Sequence, residues 1–218
     1  MEKFSYKTVL NWNSMLIVAI FLCAFVIPVF PTTWGRTPAR LGFSLIFLSG
    51  VLSMDKRRWY ILLFSLAAFT MEWVSGMFSW EMIVNISKSL NIMFFLFVMA
   101  SLIRQMATPK VINPGVIIAS ISGYLLLGII FSVAIASIIQ HDAAAFNIQR
   151  HATEINDAET YLSESMYFGF VTMGTLGYGD ILPLKPYTRS LATLITITGQ
   201  LYIATVIGIL VGKLSSQK

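Results

Sequence analysis

The sequence predicts an all-α membrane protein with six transmembrane helices per subunit and a re-entrant helix and loop between helices five and six. The first observation is composition: 56% of the 218 residues are apolar and 11% are charged, against about 25% charged residues in a typical soluble domain. The second is a set of six long apolar runs. The third is a shorter apolar run that ends in glycines and lies just before the last of the six long runs. Together they place most of the chain in a bilayer.

The six apolar runs are predicted to cross the membrane, whose core of about 30 Å needs around 20 residues of helix. Lys3 and Lys7 precede the first run, but no small-residue cleavage site follows it, so a retained helix is predicted rather than a signal peptide. The second run is short for a crossing, and its failure to cross would invert every later orientation. The runs comprise residues 15–30, 41–54, 59–78, 82–103, 116–139 and 190–211.

The distribution of basic residues predicts the orientation, because cytoplasmic loops collect Lys and Arg. With the N-terminus inside, the inner segments hold nine such residues and the outer segments five. We therefore expect a multi-pass protein of the plasma (inner) membrane with both termini cytoplasmic. The net charge of +5 then lies mainly beside anionic headgroups and does not indicate nucleic-acid binding. Lys56, Arg57 and Arg58 are a candidate anionic-lipid site, although a simple topology anchor is favoured.

A polar segment with two prolines, residues 104–114, interrupts the apolar sequence and predicts a domain boundary. Residues 1–108 are interpreted as a four-helix scaffold. Residues 109–218 form a second domain of helix, polar loop, short apolar run and helix. For the polar loop, residues 140–163, a short surface helix or an ordered cap is as compatible with the sequence as a flexible loop.

Residues 163–180, SESMYFGFVTMGTLGYGD, carry the most informative pattern in the chain. They indicate an apolar helix of about ten residues that starts near Glu164, with Ser163 or Glu164 as its N-cap. Such a helix is too short to span a bilayer. Non-helical backbone at membrane depth is stable only where it is buried in protein or lines a water-filled path. The segment is therefore predicted to be re-entrant.

The glycine-rich end of this segment suits a row of backbone carbonyls that replaces the water around a cation. Gly177 and Gly179 can adopt backbone angles denied to other residues, so that neighbouring carbonyls can point the same way. Thr175 adds a hydroxyl oxygen at the inner end. Oxygen ligands suit an alkali cation and suit a transition metal poorly. The predicted ion-binding residues are Thr175, Leu176, Gly177, Tyr178 and Gly179.

This stretch resembles the signature of the tetrameric potassium channels, whose filter reads Thr-Val-Gly-Tyr-Gly-Asp. The resemblance is strong over residues 116–211 and weak before them. It implies a homotetramer that conducts K⁺ passively, with K⁺ as the permeant ion and no cofactor. An enzyme is disfavoured because Glu72 and Lys88 are the only charged groups in the apolar runs, which contain no histidine and no Ser-His-Asp set. Further positions that match the family are Tyr167, Phe168, Val171 and Thr172 in the pore helix, Asp180 and Pro183 in the exit turn, and Gly199 at a frequent hinge position.

Several roles follow from the resemblance. Tyr167 and Asp180 occupy positions that a hydrogen bond joins in related channels, and Thr172 supports the filter from the pore helix. In the last helix, Gln200, Ile203 and Ile207 share a face that is assigned to the water-filled cavity. Gly199 is the expected hinge, and the small residues Gly208 and Gly212 either tighten a closed bundle or pack against the fifth helix.

Two departures from the family pattern leave alternatives open. Leu176 replaces the usual valine, and Gly174 stands where threonine is common, so a weakly selective monovalent cation channel is the closest rival. A potassium-uptake transporter, or its regulatory partner, is a second rival, but such transporters usually carry several pore repeats and this chain carries one. Whether a separate cytoplasmic subunit attaches stays open.

The first four helices occupy the position of the voltage sensor in channels that have six spans and a pore loop, but they lack its arginine series. The fourth run contains only Lys88 before Arg104 at its boundary, whereas a working sensor moves three or four charges per subunit. Steep voltage gating is therefore not expected. Glu72 and Lys88 both lie about 9 Å from the outer helix ends, which predicts an ion pair; an ion pathway and snorkelling of Lys88 are alternatives.

The polar loop also contains His151 and Glu154 at helical spacing. The two could bind a divalent ion or sense pH, but a solvated polar face is favoured.

Overall fold

The computed structural model describes residues 2–29, 37–53, 59–77, 81–108, 112, 114–148 and 158–215. Within these ranges the chain is helical apart from short turns and one isolated β-bridge. The helix α1 continues into a π-helical turn, Leu22–Val26, and a 3₁₀ turn, Ile27–Val29. The α-helices are α1 (Glu2–Phe21), α2 (Thr37–Leu52), α3 (Trp59–Met77), α4 (Glu81–Ala107), α5 (Pro114–His141), α6 (Ala158–Met173) and α7 (Pro186–Ser215).

Four helical segments in the described part of the chain are long and apolar enough to cross a membrane. They are Trp12–Val29, Met82–Ala107, Pro114–His141 and Pro186–Ser215. The second and third predicted crossings correspond to shorter apolar helices, Arg40–Leu52 and Leu62–Ser75. The all-helical, multi-pass character predicted from composition is therefore confirmed, and the count of six crossings stays a prediction.

Aromatic side chains fill the core between α2 and α4. Phe94 and Phe95 are fully buried, and the Phe47 ring lies 4.8 Å from that of Phe94 and 5.7 Å from that of Phe95 between ring centres. Stacked and edge-on ring pairs at these separations are favourable beyond the apolar area that they bury. The consecutive phenylalanines of α4 thus attach it to α2.

A buried polar network joins α1, α2 and α4 at the opposite end of the bundle from residues 142–148. Asn13 donates to the side-chain oxygen of Gln105 over 2.9 Å, and the Ser53 hydroxyl donates to the Asn13 amide oxygen. Gln105 donates in turn to the Ser53 carbonyl over 3.0 Å. Because unpaired polar groups are costly in an apolar core, this closed set of bonds fixes the register of three helices.

The fifth helix, α5, is the central element, packed against α1, α4, α6 and α7. Its approach to α6 depends on glycine: a Cβ at Gly128 would lie 2.3 Å from a ring carbon of Phe170, and one at Gly169 would lie 2.9 Å from the Ser132 hydroxyl. Small residues at helix contacts allow such close packing in membranes. A larger residue at either glycine would therefore push α5 and α6 apart.

Candidate functional site

The chain reverses direction at the C-terminal end of α6. Successive backbone N–H groups donate back into the last turn: that of Gly174 to Phe170 O over 2.8 Å, and that of Leu176 to Val171 O over 2.9 Å. Thr175 N–H donates to Thr172 O over 3.0 Å. These bonds satisfy carbonyls that a helix end leaves without partners. The loop that follows is therefore anchored directly to the helix.

The predicted start of α6 is wrong. The helix begins at Ala158 rather than near Glu164, so Ser163 and Glu164 lie inside it and do not cap it. The extra turns include Ala and Glu, which favour helix, and inside the helix the hydroxyl of Ser165 bonds to the Tyr161 carbonyl. The structure has the predicted order, a short helix followed by a glycine-rich turn.

The backbone of the loop alternates in handedness. Thr175, Gly177 and Gly179 have φ of 61°, 53° and 80°, whereas the intervening Leu176 and Tyr178 do not have positive φ. A positive φ is freely available to glycine but costs a threonine of the order of 1–3 kcal/mol. Strain of this kind at Thr175 is typical of a functional segment.

The loop lies on the surface of the single chain. Leu176 is 60% exposed and Tyr178 is 67% exposed. A Cβ at Gly177 or Gly179 would have no described atom within 4 Å. Within one chain, the backbone conformation alone, and not packing, requires glycine at these two positions.

Tyr167 and Asp180 are brought together beside this loop. The Tyr167 hydroxyl donates to Asp180 Oδ2, and the Ile181 N–H donates to Asp180 Oδ1 over 3.0 Å. The bond from Tyr167 lowers the pKa of Asp180, and the same bond raises the pKa of Tyr167 to about 12. We call this pair the filter brace.

Glu164 is a neighbour of the filter brace that sequence reasoning missed. Burial, together with the charge of Asp180, raises its pKa. Glu164 precedes Tyr167 by three residues, so the two share one face of α6. That spacing was the available signal, but the sequence was interpreted as placing Glu164 at the helix cap.

A second set of contacts ties residues 142–148, here called the connecting segment, to residues 180–185, here called the exit segment. The two are paired by an antiparallel bridge between Phe146 and Pro183. The buried hydroxyl of Thr188 donates to Ala145 O over 3.1 Å. An ordered cap therefore exists over at least this part of the polar loop. The backbone bonds are Asn147 N to Leu182 O and Leu184 N to Ala145 O, both 2.9 Å.

Asp142 of the connecting segment forms a second tyrosine–carboxylate pair, with Tyr187 at the start of α7. Tyr187 donates its hydroxyl to Asp142 Oδ2 over 2.7 Å, while Ala144 N–H donates to Asp142 Oδ1 over 3.0 Å. The tyrosine bond lowers the pKa of Asp142. We call this pair the loop brace. No residue pattern in the sequence indicated it, because its members are 45 positions apart.

The last helix, α7, packs against the C-terminal end of α6 at Gly199. A Cβ there would lie 2.6 Å from Met173 Cγ and 2.7 Å from the Met173 carbonyl oxygen. One helical turn closer to the loop, the Thr196 hydroxyl donates to Thr172 O over 3.3 Å. The helix runs unbroken through Gly199, so this glycine provides close approach here, and the hinge role stays a prediction.

The predicted cavity face of α7 is exposed in one chain, but so is the opposite face. Gln200, Ile203 and Ile207 are exposed, as are Leu201 and Thr205, so exposure does not choose between the two. A Cβ at either Gly208 or Gly212 would meet no described atom within 4 Å. Within the described residues of one chain, these two glycines therefore make no tight contact with α5.

One comparison with known proteins bears on these elements. Residues 123–216 match the family model described as an ion channel. The matched range contains most of α5, all of α6 and α7, and the loop with alternating backbone. It supports assignment of the chain to an ion channel superfamily and an ion-transport function for a multi-pass membrane protein. No curated protein and no solved structure matches the chain.

We call residues 123–216 the channel region, and the end of the bundle that carries the connecting and exit segments the filter side. Two further sets of polar contacts lie outside the loop, one between α3 and α4 and one between α4 and α5. Glu72 Oε2 accepts hydrogen bonds from Ser87 over 3.0 Å and from Asn91 over 2.6 Å. Lys88 donates to the Gln140 side-chain oxygen at the end of α5. The predicted ion pair between Glu72 and Lys88 stays a prediction.

The remaining predicted residues, Lys56, Arg57, Arg58, His151 and Glu154, lie outside the described residues.

Proposed function

We propose that this chain is one subunit of a homotetrameric, potassium-selective channel that conducts K⁺ passively through Thr175, Leu176, Gly177, Tyr178 and Gly179. The observation that carries the proposal is the alternating backbone handedness of these residues. Alternation of left- and right-handed residues turns successive backbone N–H groups to one side of the chain, which leaves the carbonyl oxygens facing the other side. A row of carbonyl oxygens of this kind can replace the hydration shell of K⁺.

The exposure of the loop favours several copies around one axis. One chain supplies one row of carbonyls, and closed rings of identical subunits are the usual form of soluble and membrane oligomers with a central site. Leu176 and Tyr178 are exposed in the single chain. Along α7, large apolar side chains such as Leu194, Ile197 and Leu201 are exposed as well. In the proposed tetramer, lipid and neighbouring subunits cover these surfaces.

The finer topology belongs to the same proposal. We infer six crossings with α6 re-entrant, both termini cytoplasmic in the plasma membrane, and anionic lipid at Lys56, Arg57 and Arg58. Gln200, Ile203 and Ile207 line the cavity, and the gate lies in α7 near Gly208 and Gly212. Because α4 carries so few basic residues, opening is not steeply voltage-dependent.

A weakly selective cation channel is the second candidate, and the packing beside the filter favours considering it. A Cβ at Gly174 would lie 3.1 Å from Phe170 O, so the threonine that the family commonly has would be crowded in this conformation. The region behind the filter therefore differs from the family pattern. Discrimination between K⁺ and Na⁺ depends on how rigidly the carbonyls are held or on their number and field.

The proposal is tested by K⁺ flux from liposomes that contain purified wild-type or Gly179→Ala protein. Gly179 has φ of 80°, which a residue with a Cβ adopts only with strain. We expect flux to be abolished while the oligomer persists on size-exclusion chromatography. The matched control is Leu182→Ala, an exposed side chain on the exit segment, which should retain flux. Normal flux through Gly179→Ala would show that the filter assignment is wrong.

A further inference from the structure

The end of α5 carries a histidine that bonds to two different helices. His141 Nδ1 lies 2.8 Å from the Ser137 carbonyl oxygen one turn back on α5. Its Nε2 lies 3.1 Å from Asn85 Nδ2 on α4. The ring is exposed at the filter side. Asn85 and the bond between Lys88 and Gln140 thus hold adjacent turns of α4 against the last turn of α5.

The two partners select one protonation state of the ring. A backbone carbonyl only accepts, so Nδ1 must carry a hydrogen to bond to Ser137 O. In a neutral imidazole the other nitrogen is then an acceptor, which matches the amide N–H of Asn85. A second proton would place an N–H of the ring against the N–H of Asn85, two donors without an acceptor. The observed contact therefore fits the neutral ring.

The charged groups nearest His141 come from several elements. Lys88 on α4 lies one turn from Asn85, and Asp142 is the next residue after His141 at the C-terminal end of α5. Asp142 already accepts bonds from Tyr187 and Ala144 and lies near Lys185 of the exit segment. Glu72, on α3, bonds to α4 through Ser87 and Asn91. Rotation of the Asn85 amide would remove the donor clash only by breaking the present contact.

We propose that His141 is a proton-binding site that makes the packing of α4 on α5, and through it ion flux, dependent on pH at the filter side. Histidine is the side chain whose ordinary charge change falls between about pH 5 and 8. Protonation breaks the present contact with the Asn85 N–H, because the amide must then rotate or move away from the ring, and this rearrangement loosens the filter-side end of α5. Since α5 contacts α6 closely at Gly128 and Ser132, the loosening reaches the helix that holds the filter.

The flux test rests on the proposed function and uses planar bilayers, with pH lowered from about 7.5 to about 5.5 on the filter side. We expect wild-type flux to fall about fivefold, the change that corresponds to one lost hydrogen bond of about 1 kcal/mol. His141→Gln should abolish the response, because glutamine can still bond but does not titrate in this range. The matched control is His151→Gln, which should respond as the wild type does.

A second variant, Asn85→Asp, keeps the test decisive if His141→Gln fails to fold. In Asn85→Asp the carboxylate accepts a bond from the charged ring, so acid should strengthen the contact and the fall in flux should disappear or reverse. A wild type without a response to acid would overturn the inference. So would a response that survives in His141→Gln, that is lost in His151→Gln, or that is unchanged in Asn85→Asp.

A distance measurement separates failure of this inference from failure of the proposed function, because it needs no conduction. Spin labels are attached to cysteines at Ser89 and Ala144, both exposed, in a Cys23→Ala background. We expect the distance distribution to broaden or lengthen in acid for the wild-type pair and to stay constant with His141→Gln. A distribution that is the same at both pH values would refute the switch even if no potassium current were recorded.

Discussion

The front helices and the channel region differ in how their polar and apolar side chains are packed within one chain. In the front helices, polar side chains pair across helices of the same chain, as Asn13, Ser53 and Gln105 do, and Phe94 and Phe95 of α4 are buried. In the channel region, the filter loop and most of α7 are exposed in the single chain. The comparison teaches that polar groups of the front half find partners within the chain, whereas the loop after α6 and much of α7 are exposed in one chain, surfaces that the proposed tetramer would cover.

The largest expected change in stability is at the contact between α6 and α7. In Gly199→Ala the new Cβ would meet the backbone oxygen of Met173 at 2.7 Å, which a side-chain rotation cannot relieve. Overpacking of this kind costs about 1–3 kcal/mol, so we expect a lower unfolding temperature and reduced flux. Thermal unfolding of the purified protein measures the first effect, and liposome flux measures the second.

The matched control for this substitution is Gly208→Ala on the same helix, where the new Cβ meets open space. Helix propensity alone favours alanine over glycine by about 1 kcal/mol, so the unfolding temperature should not fall. Equal destabilisation by both variants would contradict the assignment of Gly199 to close approach.

A smaller effect should distinguish the filter brace from the loop brace. Tyr167→Phe removes a bond to the residue that follows the filter, Asp180, and should speed the loss of conduction during sustained activity. Tyr187→Phe removes the bond to Asp142 and acts only through the connecting segment, so its effect should be smaller. Current decay in planar bilayers measures both, each variant serving as the control for the other. Equal decay rates would remove the distinction.

The two braces also predict where acid should not act. Each tyrosine bond lowers the pKa of its carboxyl group. A group with a lowered folded-state pKa contributes stability above its ordinary pKa, about 3.9 for aspartate, and loses it as pH falls through the lowered value. Acid weakening of the braces therefore belongs below about pH 4, well below the histidine range in which His141 is expected to act.

Much of the helical plan could be predicted from the sequence, because apolar runs of bilayer length admit few other structures. The order of short helix and glycine-rich loop followed from residues 163–180 for the same reason. The start of α6 was placed too late, since the polar residues from Ala158 onward continue the helix without an apolar signal. The loop brace could not be predicted because Asp142 and Tyr187 meet only through the tertiary fold.

The polar contacts of the front half show a second limit of the sequence. Depth along the helices placed Glu72 and Lys88 at one level, which made an ion pair the natural expectation. Depth does not specify the rotation of each helix. The structure adds hydrogen bonds to Glu72 from Ser87 and Asn91 and a bond from Lys88 to Gln140, which depth alone does not predict, and the ion pair itself stays a prediction.

The most direct test of the central claim is the reversal potential of wild-type protein in a planar bilayer, with K⁺ on one side and Na⁺ on the other. A tetramer of carbonyl rows at Thr175–Gly179 predicts a large potential, negative on the K⁺ side, that approaches the value for K⁺ alone. A reversal potential near zero in these mixed ions would contradict potassium selectivity and assign the channel region to a weakly selective cation channel.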